Sequence, residues 1–391
     1  MGVIDAADEV LDSVASELAE EPLLAVALVA ALVALAIGGW LLLGYLRRTP
    51  GERFARLVGG PEALAVLMHP NPDPDAMSCA LAVQTIAESR ETDTTLYYPG
   101  QIRHHENRAF ETVLDMDFER IEEAETIEET DVVLVDHNEP RGFRGSELID
   151  PLAVVDHHPG DGTGREFTDV RTDNGACATI FSEYFDEMGW EPVHPDEMAT
   201  QESLDEAITP DTSTALIYGI QSDTKHLTKG CSAAEFEAAA FLYDGIDEDK
   251  LDRIANPDMD PESLDVKARA ISRRDVRSAF AVSDVGTVSN VDAIPQAADE
   301  LRRLEGINAV VVMGDKDGQL QLSGRSSDDR VHMGKVLEAA VKDIPMGTAG
   351  GHARMGGGQC SLEHMQGIGP SNGLSRQEFK ERLFAAMNGD L

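Results

Sequence analysis

The chain has 391 residues, and its 72 acidic residues against 32 basic ones give it a formal net charge of −40. This balance excludes general nucleic-acid binding through a basic face. The acidic residues are spread along the whole chain, so we expect a protein of halophilic type, in which concentrated salt screens their repulsion. Its four cysteines have no C-x-x-C spacing, which indicates reduced thiols and neither a disulfide frame nor a zinc site.

A charge-free stretch rich in Leu, Ala and Val occupies residues 22–46. As a helix it would be about 37 Å long, enough to cross a hydrocarbon core of about 30 Å. An acidic segment, residues 1–21, precedes it, and Arg47, Arg48, Arg53 and Arg56 follow it. Because positive charge marks the inner side of a membrane, we expect a single-pass protein of the cell membrane. Residues 1–21 would then be extracytoplasmic, the domains after residue 46 cytoplasmic, and the lipid bilayer one partner.

The remainder predicts an α/β protein. Residues 52–255 alternate short apolar runs with helical patterns, which is typical of a parallel sheet covered by helices. A helix is expected at residues 76–88, after a proline-rich loop that holds the chain rigid. Four apolar runs are interpreted as buried strands: residues 65–68, 132–135, 153–155 and 215–220.

A second, smaller α/β domain is predicted at residues 262–391. The prolines at positions 257 and 261 break any helix there and indicate a boundary. The expected elements of this domain are strands at residues 280–282 and 309–313, an edge strand at 320–323 and a helix at 331–342.

Aspartate or histidine follows each of the four apolar runs. Because the carboxyl ends of parallel strands meet at one edge of an open sheet, we expect these side chains to form a single site. Mixed carboxylate and imidazole ligands favour Mn²⁺, or Fe²⁺ or Co²⁺, over Mg²⁺. The candidate ligands are His69, Asp73 and Asp75 after the first run, Asp136 after the second, His157 after the third and Asp223 after the fourth.

The set is large enough for two ions that share the carboxylate of Asp136. Two metal ions about 3.5–4 Å apart can stabilise both the attacking and the leaving oxygen of a displacement at phosphorus. His157 and His158 are adjacent at a strand end and point in opposite directions, so one can bind metal while the other reaches the substrate. Asp156 can orient one of the two rings. His158 and Asp156 are therefore the catalytic candidates.

A glycine-rich loop at residues 350–358 is the main feature of the second domain. Its glycines, Gly350 and Gly351 among them, permit a close approach of the backbone to an anion. His352 and Arg354 lie within the loop, and Arg325, between serines, offers a guanidinium that suits a phosphate. We expect these five residues to bind substrate.

The motifs resemble those of the DHH superfamily of phosphoesterases with its DHH-associated C-terminal domain, and the acidic composition suggests a haloarchaeal type. The resemblance covers about residues 60–385. Three features depart from the family pattern, namely Pro74, Ser78-Cys79 and Arg354-Met355. The matching motifs are His69-Pro-Asn-Pro-Asp73-Pro-Asp75-Ala76, Val135-Asp136, Asp156-His157-His158, Ser222-Asp223-Thr224 and Gly350-Gly351-His352.

This resemblance implies two Mn²⁺ ions, with Mg²⁺ or Co²⁺ as alternatives, and an active site in the cleft between the two domains. It implies that His158 contacts the scissile phosphate and that His352, with Arg325, binds the other phosphate or terminus of the substrate. The implied ligands are His69, Asp73, Asp136 and Asp223 for one ion, and Asp75, Asp136 and His157 for the other.

The function implied is a membrane-anchored phosphodiesterase of small nucleotides: cyclic di-AMP, linear dinucleotides or short oligoribonucleotides. Two alternatives stay open. A single-strand exonuclease of the RecJ type would need a cationic track and stacking aromatics, but aromatic residues make up only 5% of the chain. A nucleotide-binding sensor without turnover would not need the full ligand set. A homodimer is compatible with each of these three functions.

Overall fold

A computed structural model describes residues 48–102, 104–200, 206–368 and 373–391, with six isolated helical positions at 30, 33–35, 37 and 44. Apart from those six positions, the expected membrane span at residues 22–46 and the segment 1–21 lie outside the described residues, so both stay predictions. In the described ranges, none of the helices combines the length and the apolar character that a membrane span requires. The structure divides into two compact units between Pro257 and Asp258.

Six parallel strands form the sheet of the first unit. The three buried strands expected before His69, Asp136 and His157 are confirmed. The strands are β1 (Ala63–Leu67), β2 (Asp93–Pro99), β3 (Phe118–Ile121), β4 (Val132–Val135), β5 (Ala153–Asp156) and β6 (Phe167–Val170).

The strand order is β3-β2-β1-β4-β5-β6, and every neighbouring pair is parallel. The chain direction across the sheet therefore reverses between β1 and β4. In open α/β sheets the carboxyl ends of the strands on either side of such a reversal border a crevice that holds the ligand. The sheet thus places the residues after β1, β4 and β5 at one such crevice.

The α-helices of the first unit pack on one face of this sheet, and the segments between β3 and β5 contribute Ile127, Phe143 and Ile149 to the core on the other face. The strand residues alternate: Val66, Val133 and Val155 join one core, whereas Leu67 and Leu134 join the core on the other face. A short pair, β7 (Glu191–Pro192) and β8 (Ala207–Ile208), lies apart from the main sheet. The helices are α1 (Pro50–Val58), α2 (Pro74–Glu88), α3 (His105–Val113), α4 (Cys177–Glu187), α5 (Pro210–Asp223), α6 (Ala233–Leu242) and α7 (Glu248–Ala255).

The prediction of a strand at residues 215–220 is wrong, because these residues belong to helix α5. Thr209 caps the helix by accepting a hydrogen bond from the Thr212 amide, and Pro210 occupies its first position, where proline is well tolerated. A short apolar run does not by itself distinguish a buried strand from a buried helix. Asp223 is therefore the last residue of a helix and does not follow a strand.

The second unit has a mixed six-stranded sheet in the order β13-β14-β12-β11-β10-β9, in which only β10 and β11 are parallel. The strands are β9 (Arg274–Arg277), β10 (Phe280–Thr287), β11 (Ala309–Lys316), β12 (Gln319–Ser326), β13 (Thr348–Gly351) and β14 (Met355–Ser361). The helices are α8 (Pro261–Ser272), α9 (Ala293–Leu301), α10 (Met333–Val341), α11 (Leu362–Met365) and α12 (Arg376–Asn388).

Two expectations for this unit are corrected. The segment 320–323 is part of β12, an interior strand paired with both β11 and β14, and not an edge strand. The segment 350–358 is mostly strand: β13 and β14 form a hairpin, and only residues 352–354 connect them. The glycines that suggested a loop instead allow close packing, since a Cβ on Gly351 would lie 2.4 Å from the Met355 carbonyl oxygen.

One glycine sets the distance between α2 and α5, the helices that carry Asp75 and Asp223. A Cβ on Gly219 would lie 2.4 Å from the Ser78 Oγ atom and 3.2 Å from the Asp75 Cα atom. The two helices can therefore hold their carboxylates close together only while position 219 has no side chain.

Replacement of Gly219 by alanine should destabilise the first unit. The added methyl group has no room, and overpacking of this kind costs about 1–3 kcal/mol. We expect the free energy of unfolding, measured by urea denaturation in molar KCl, to fall by that amount. The control is Gln221→Ala, on the same helix at a half-buried position. Equal stability of the Gly219→Ala and Gln221→Ala proteins would contradict the packing argument.

Candidate metal centre

The loop after β1 and the first turn of α2 supply three of the expected ligands. His69 follows the strand, and Asp73 caps the helix by accepting a hydrogen bond of 3.2 Å from the Ala76 amide. The proline-rich segment is thus partly helical: Pro74 is the first helical residue, and Asp75 lies in the first turn. Proline at this position removes an amide that has no helical partner, so it fixes the start of the helix.

Asp136 occupies the centre of the site. It directly follows β4, is 1% exposed and has a backbone φ of +60°. Its Oδ2 atom lies 3.3 Å from the Nε2 atom of His69, and its Oδ1 atom lies 3.3 Å from the Nε2 atom of His157. A left-handed backbone is uncommon outside glycine and costs of order 1 kcal/mol or more, so it persists where the surrounding structure enforces it. One carboxylate here faces an imidazole on each side.

The remaining ligand candidates complete two clusters around this carboxylate. His69 Nε2 lies 3.6 Å from an oxygen of Asp73, and His157 Nε2 lies 3.6 Å from Asp223 and 3.8 Å from Asp75. Asp223 therefore groups with His157 and Asp75, whereas the family resemblance places it with His69. The structure brings three sets of ligand atoms within reach of a common ion: His69, Asp73 and Asp136; Asp75, His157 and Asp223; and Asp136, His157 and His158.

The chemistry of these atoms fits divalent cations. Among the described residues, the buried Asp136 Oδ1 and His157 Nε2 atoms have no hydrogen bond of acceptable geometry, although they face each other. Buried polar atoms are nearly always hydrogen-bonded, so two such atoms at one point indicate a missing partner that accepts electron pairs. Four carboxylates and two imidazoles around that point are the ligands of Mn²⁺, Fe²⁺ or Co²⁺ more than of Mg²⁺.

Without metal, bound protons balance the negative charge of the clustered carboxylates. Burial raises the pKa of the Asp75 carboxyl well above its usual range and that of Asp223 to about 7, with help from neighbouring carboxylates. Burial opposes the charging of His69 and His157, but the facing carboxylates, Asp136 above all, raise their pKa values to about 11 and about 10. Burial also opposes ionisation of Asp136, yet the two imidazoles hold its pKa well below the usual range.

A hydrogen-bonded chain orients His158. The Oδ1 atom of buried Asp156 lies 3.0 Å from the His158 Nδ1 atom and accepts hydrogen bonds from the backbone amides of His157 and His158, at 2.8 and 3.1 Å. The other oxygen accepts a hydrogen bond of 2.6 Å from the Nδ2 atom of Asn138. Asp156 is therefore placed as a positioning residue, and His158, whose side chain is about half exposed, is placed to meet a ligand.

Sequence reasoning missed Asn138. Its position two residues after Asp136, in a polar run that ends a buried strand, is the signal that could have found it. Its neighbour His137 is buried, its Nδ1 atom lies 2.9 Å from the Val135 carbonyl oxygen, and burial lowers its pKa to about 4.

The first turn of α4 also supports the site, through contacts that no sequence motif indicates. The two oxygens of Asp75 accept hydrogen bonds from the backbone amides of Cys177 and Ala178, at 2.7 and 2.8 Å. Helix N-termini favour negative charge because their amides are unpaired and the helix dipole is positive there. The Asp75 carboxylate is thus fixed by α4 as well as by its own helix.

The expected substrate-binding residues all lie in the second unit. Gly350 and Gly351 are in β13, and exposed His352 begins the connection to β14. Arg354 is exposed and pairs with Asp329 at 2.6 Å. Arg325 is 9% exposed, and its guanidinium donates two hydrogen bonds to Asp299 and one to Ser323. Most of the N–H donors of Arg325 are thus used within the unit, and substrate binding by all five residues stays a prediction.

Comparison with known protein families identifies a domain in each unit. Residues 63–220 match the DHH family, N-terminal domain, and residues 277–368 match the DHHA1 domain. The chain therefore carries a DHH domain and a DHHA1 domain. The clusters of metal-ligand candidates found among the described residues belong to the first unit.

Two relatives are similar over most of the chain. An uncharacterised protein of Methanocaldococcus jannaschii is 33% identical over 295 residues, which cover 73% of this chain and 58% of that protein. The cyclic-di-AMP phosphodiesterase GdpP of Geobacillus thermodenitrificans is 25% identical over 307 residues, which cover 74% of this chain and 44% of that protein. The chain thus spans about half the length of the curated relatives it matches.

A solved structure supports the α/β fold. An exopolyphosphatase-related protein from Bacteroides fragilis superimposes with a TM-score of 0.56 at 12% identity, covering 87% of this chain and 96% of that one. At this level of identity the likeness concerns the fold alone.

Replacement of Asp136 by asparagine keeps the shape of the side chain but removes the charge that both imidazoles face. We expect Mn²⁺ affinity, measured by isothermal titration calorimetry, to fall by more than the roughly 10–100-fold that is typical of changes outside the ligand shell. Asp161→Asn, at an exposed position of the same unit, is the matched control. An Asp136→Asn protein that binds Mn²⁺ as the control does would remove Asp136 from the site.

Metal binding should release protons. The imidazoles must be neutral to bind metal, and the raised pKa values of His69 and His157 keep both protonated at neutral pH in the metal-free protein. Mn²⁺ affinity should therefore rise with pH up to about 10 and weaken as pH falls. Calorimetry in buffers of different ionisation enthalpy counts the protons released per ion. An affinity that does not change between about pH 6 and pH 9 would contradict this coupling.

Proposed function

We propose that this chain, a DHH domain followed by a DHHA1 domain, is a Mn²⁺-dependent phosphodiesterase that hydrolyses small nucleotides. The candidate substrates are cyclic di-AMP, linear dinucleotides and short oligoribonucleotides. The single observation that supports the activity most is the Asp136 carboxylate with an imidazole at 3.3 Å from each of its oxygens. The similarity to a cyclic-di-AMP phosphodiesterase supports the substrate class.

Six side chains of the first unit are proposed to hold the metal ions. Bound divalent ions would supply an activated water and would stabilise negative charge on the phosphoryl group. The side chains that would hold them are His69, Asp73, Asp75, Asp136, His157 and Asp223.

His158 is proposed to act on the phosphoryl oxygen. The hydrogen bond with Asp156 raises the pKa of His158, which favours the protonated ring that can donate from Nε2. Its Nδ1 atom faces Asp156, which leaves Nε2 for the substrate. A charge-assisted hydrogen bond from Nε2 would stabilise the charge that develops on the phosphoryl oxygen. Asn138 holds Asp156, and thereby the ring, in place.

Two further parts of the proposal concern regions outside the metal centre. His352 and Arg354 are proposed to bind the second phosphate or the terminus of the substrate, since both are exposed and carry donors that suit an anion. The charge-free stretch at residues 22–46 and the arginines after it support a single-pass location in the cell membrane, with the catalytic domain in the cytoplasm.

A turnover assay with the full chain, Mn²⁺ and molar KCl tests the substrate class. The substrates are cyclic di-AMP, the linear dinucleotide, a short oligoribonucleotide and a long single strand of DNA. We expect hydrolysis of one or more of the small nucleotides and little loss of the long strand. Degradation of the long strand alone would favour an exonuclease instead, and tight binding of a nucleotide without turnover would indicate a sensor.

Substitutions at His158 and Asn138 test the positioning chain. His158→Ala should lower kcat by about 10²–10³ because one donor to the phosphoryl oxygen is lost. Asn138→Ala should lower kcat by roughly 10-fold, as is typical of a residue that orients another. Both variants should bind Mn²⁺ with nearly normal affinity, which the same calorimetry verifies.

The double variant separates a positioning role from a purely structural one. If Asn138 acts through His158, the double substitution should cost about as much in kcat as His158→Ala alone. If the two losses multiply instead, Asn138 acts independently of His158 and the chain described above does not position the ring.

A further inference from the structure

A cavity lies at the amino ends of the strands in the first unit, on the side of the sheet away from the metal centre. Its volume is about 540 Å³. Asp131, Leu152 and Glu166, which line it, directly precede β4, β5 and β6, so the cavity borders the amino ends of these strands. The metal centre borders the carboxyl ends, and the two sites are therefore separate. The full lining of this arginine cavity, as we name it, is Arg48, Arg53, Arg56, Leu57, Gly60, Pro61, Asp131, Leu152, Glu166 and Phe167.

The arginine cavity is cationic in a chain with a net charge of −40. Three arginines line it against two carboxylates, and one of these, Asp131, is already paired with Arg165. Within the described part of the chain, neither Arg53 nor Arg56 forms an ion pair, although acidic residues outnumber basic ones more than twofold. Guanidinium groups recognise phosphate through paired hydrogen bonds and remain charged at any physiological pH. The cavity therefore suits a phosphate-bearing anion.

Helix α1 presents these arginines on a fixed surface. Thr49 and Glu52 form a reciprocal cap at its first turn. The inner face buries Phe54 and Val58, and the Phe54 ring contacts the Phe167 ring at a centroid distance of 5.4 Å. The outer face carries exposed Arg53 and Arg56. Since the first turn and the inner face of α1 are held, little side-chain ordering beyond the arginines themselves would be needed to bind a ligand.

We propose that the arginine cavity binds the phosphate of an anionic phospholipid headgroup. The stretch expected to cross the bilayer ends at Leu46, two residues before Arg48. Even a fully extended chain places Arg53 within roughly 25 Å of that point, and the start of α1 shortens the distance. Arginines near a surface of anionic lipid are attracted to it. A guanidinium and a phosphate in direct contact are screened by salt much less than charges farther apart, so this pairing can persist in molar KCl.

Lipid binding at this edge would orient the first unit. The amino ends of the strands would face the bilayer, and the metal centre at the carboxyl ends would open away from it, toward soluble substrates. This proposal rests on the membrane location proposed above and not on the phosphodiesterase activity. Activity assays and the lipid experiment can therefore fail independently.

The test uses the full chain in lipid nanodiscs with molar KCl. One set of discs contains phosphatidylcholine alone, and the other also contains phosphatidylglycerol. Hydrogen–deuterium exchange of the amides in residues 50–61 reports occupancy of the cavity. We expect phosphatidylglycerol to slow exchange there by about 10-fold, as for a site that is mostly occupied. A separate arm adds inorganic phosphate to the phosphatidylcholine discs, and little slowing is expected.

The arginine variant and a matched control define the outcomes. The double variant Arg53→Ala/Arg56→Ala should lose the slowing yet bind Mn²⁺ normally, which shows that the unit is folded. Arg302→Ala/Arg303→Ala, an adjacent exposed pair in the second unit, should behave as the unsubstituted chain does. Equal slowing by inorganic phosphate would assign the cavity to a soluble anion and overturn the lipid proposal. Absence of slowing, or failure of the chain to enter nanodiscs, would overturn it as well.

Discussion

The ligand side chains of the first unit are arranged around one buried carboxylate. Asp136 leaves β4 with a left-handed backbone, is almost fully buried and points its two oxygens at imidazoles on opposite sides. A buried charge is costly unless it is paired, and a strained backbone is costly anywhere. Both costs are offset only if cations, either protons on the histidines or bound metal ions, occupy the two sides. The surrounding elements hold the partners at the distances that this requires.

The fold supplies those partners through two different devices. The reversal of strand order between β1 and β4 brings His69 and Asp136 to adjacent strand ends, and β5 adds His157 and His158 from the next strand. The helices α2 and α5 then bring in Asp75 and Asp223 through a contact that only glycine at position 219 permits. Strand ends are fixed by hydrogen bonding within the sheet, whereas the helix-borne ligands depend on packing. The second pair is therefore the more sensitive to changes in the core.

Much of this arrangement follows from local patterns in the sequence. Val132–Val135 and the runs before His69 and Asp156 are short and apolar, and ligands follow them within a few residues, which is what a strand buried on both faces requires. The run before Asp223 is equally apolar, but Thr209-Pro210 begins a helix there, and an apolar run alone does not reveal its period. Asp223 was correctly placed near the other ligand candidates although a strand was expected in place of helix α5. A carboxylate at the end of a helix or of a strand can reach the same crevice.

Contacts between distant residues could not be predicted in this way. Asn138 reaches Asp156 only because β4 and β5 are neighbours in register, and Arg325 meets Asp299 only because α9 packs beside β12. The prediction that Arg325 binds substrate was made without knowledge of Asp299, because a sequence does not show which acidic residue lies opposite an arginine. For Arg53 and Arg56 the sequence showed only that arginines follow the apolar stretch. It could not show the cavity that they line, because residues next to three strands far along the chain form part of its wall.

The most direct test of the central claim is anomalous diffraction at the manganese absorption edge, from crystals grown with Mn²⁺. We expect two peaks about 3.5–4 Å apart, one on each side of the Asp136 carboxylate, with His69 beside one and His157 beside the other. Peaks that do not touch Asp136, or no peak at this crevice in crystals that hold manganese elsewhere, would contradict it.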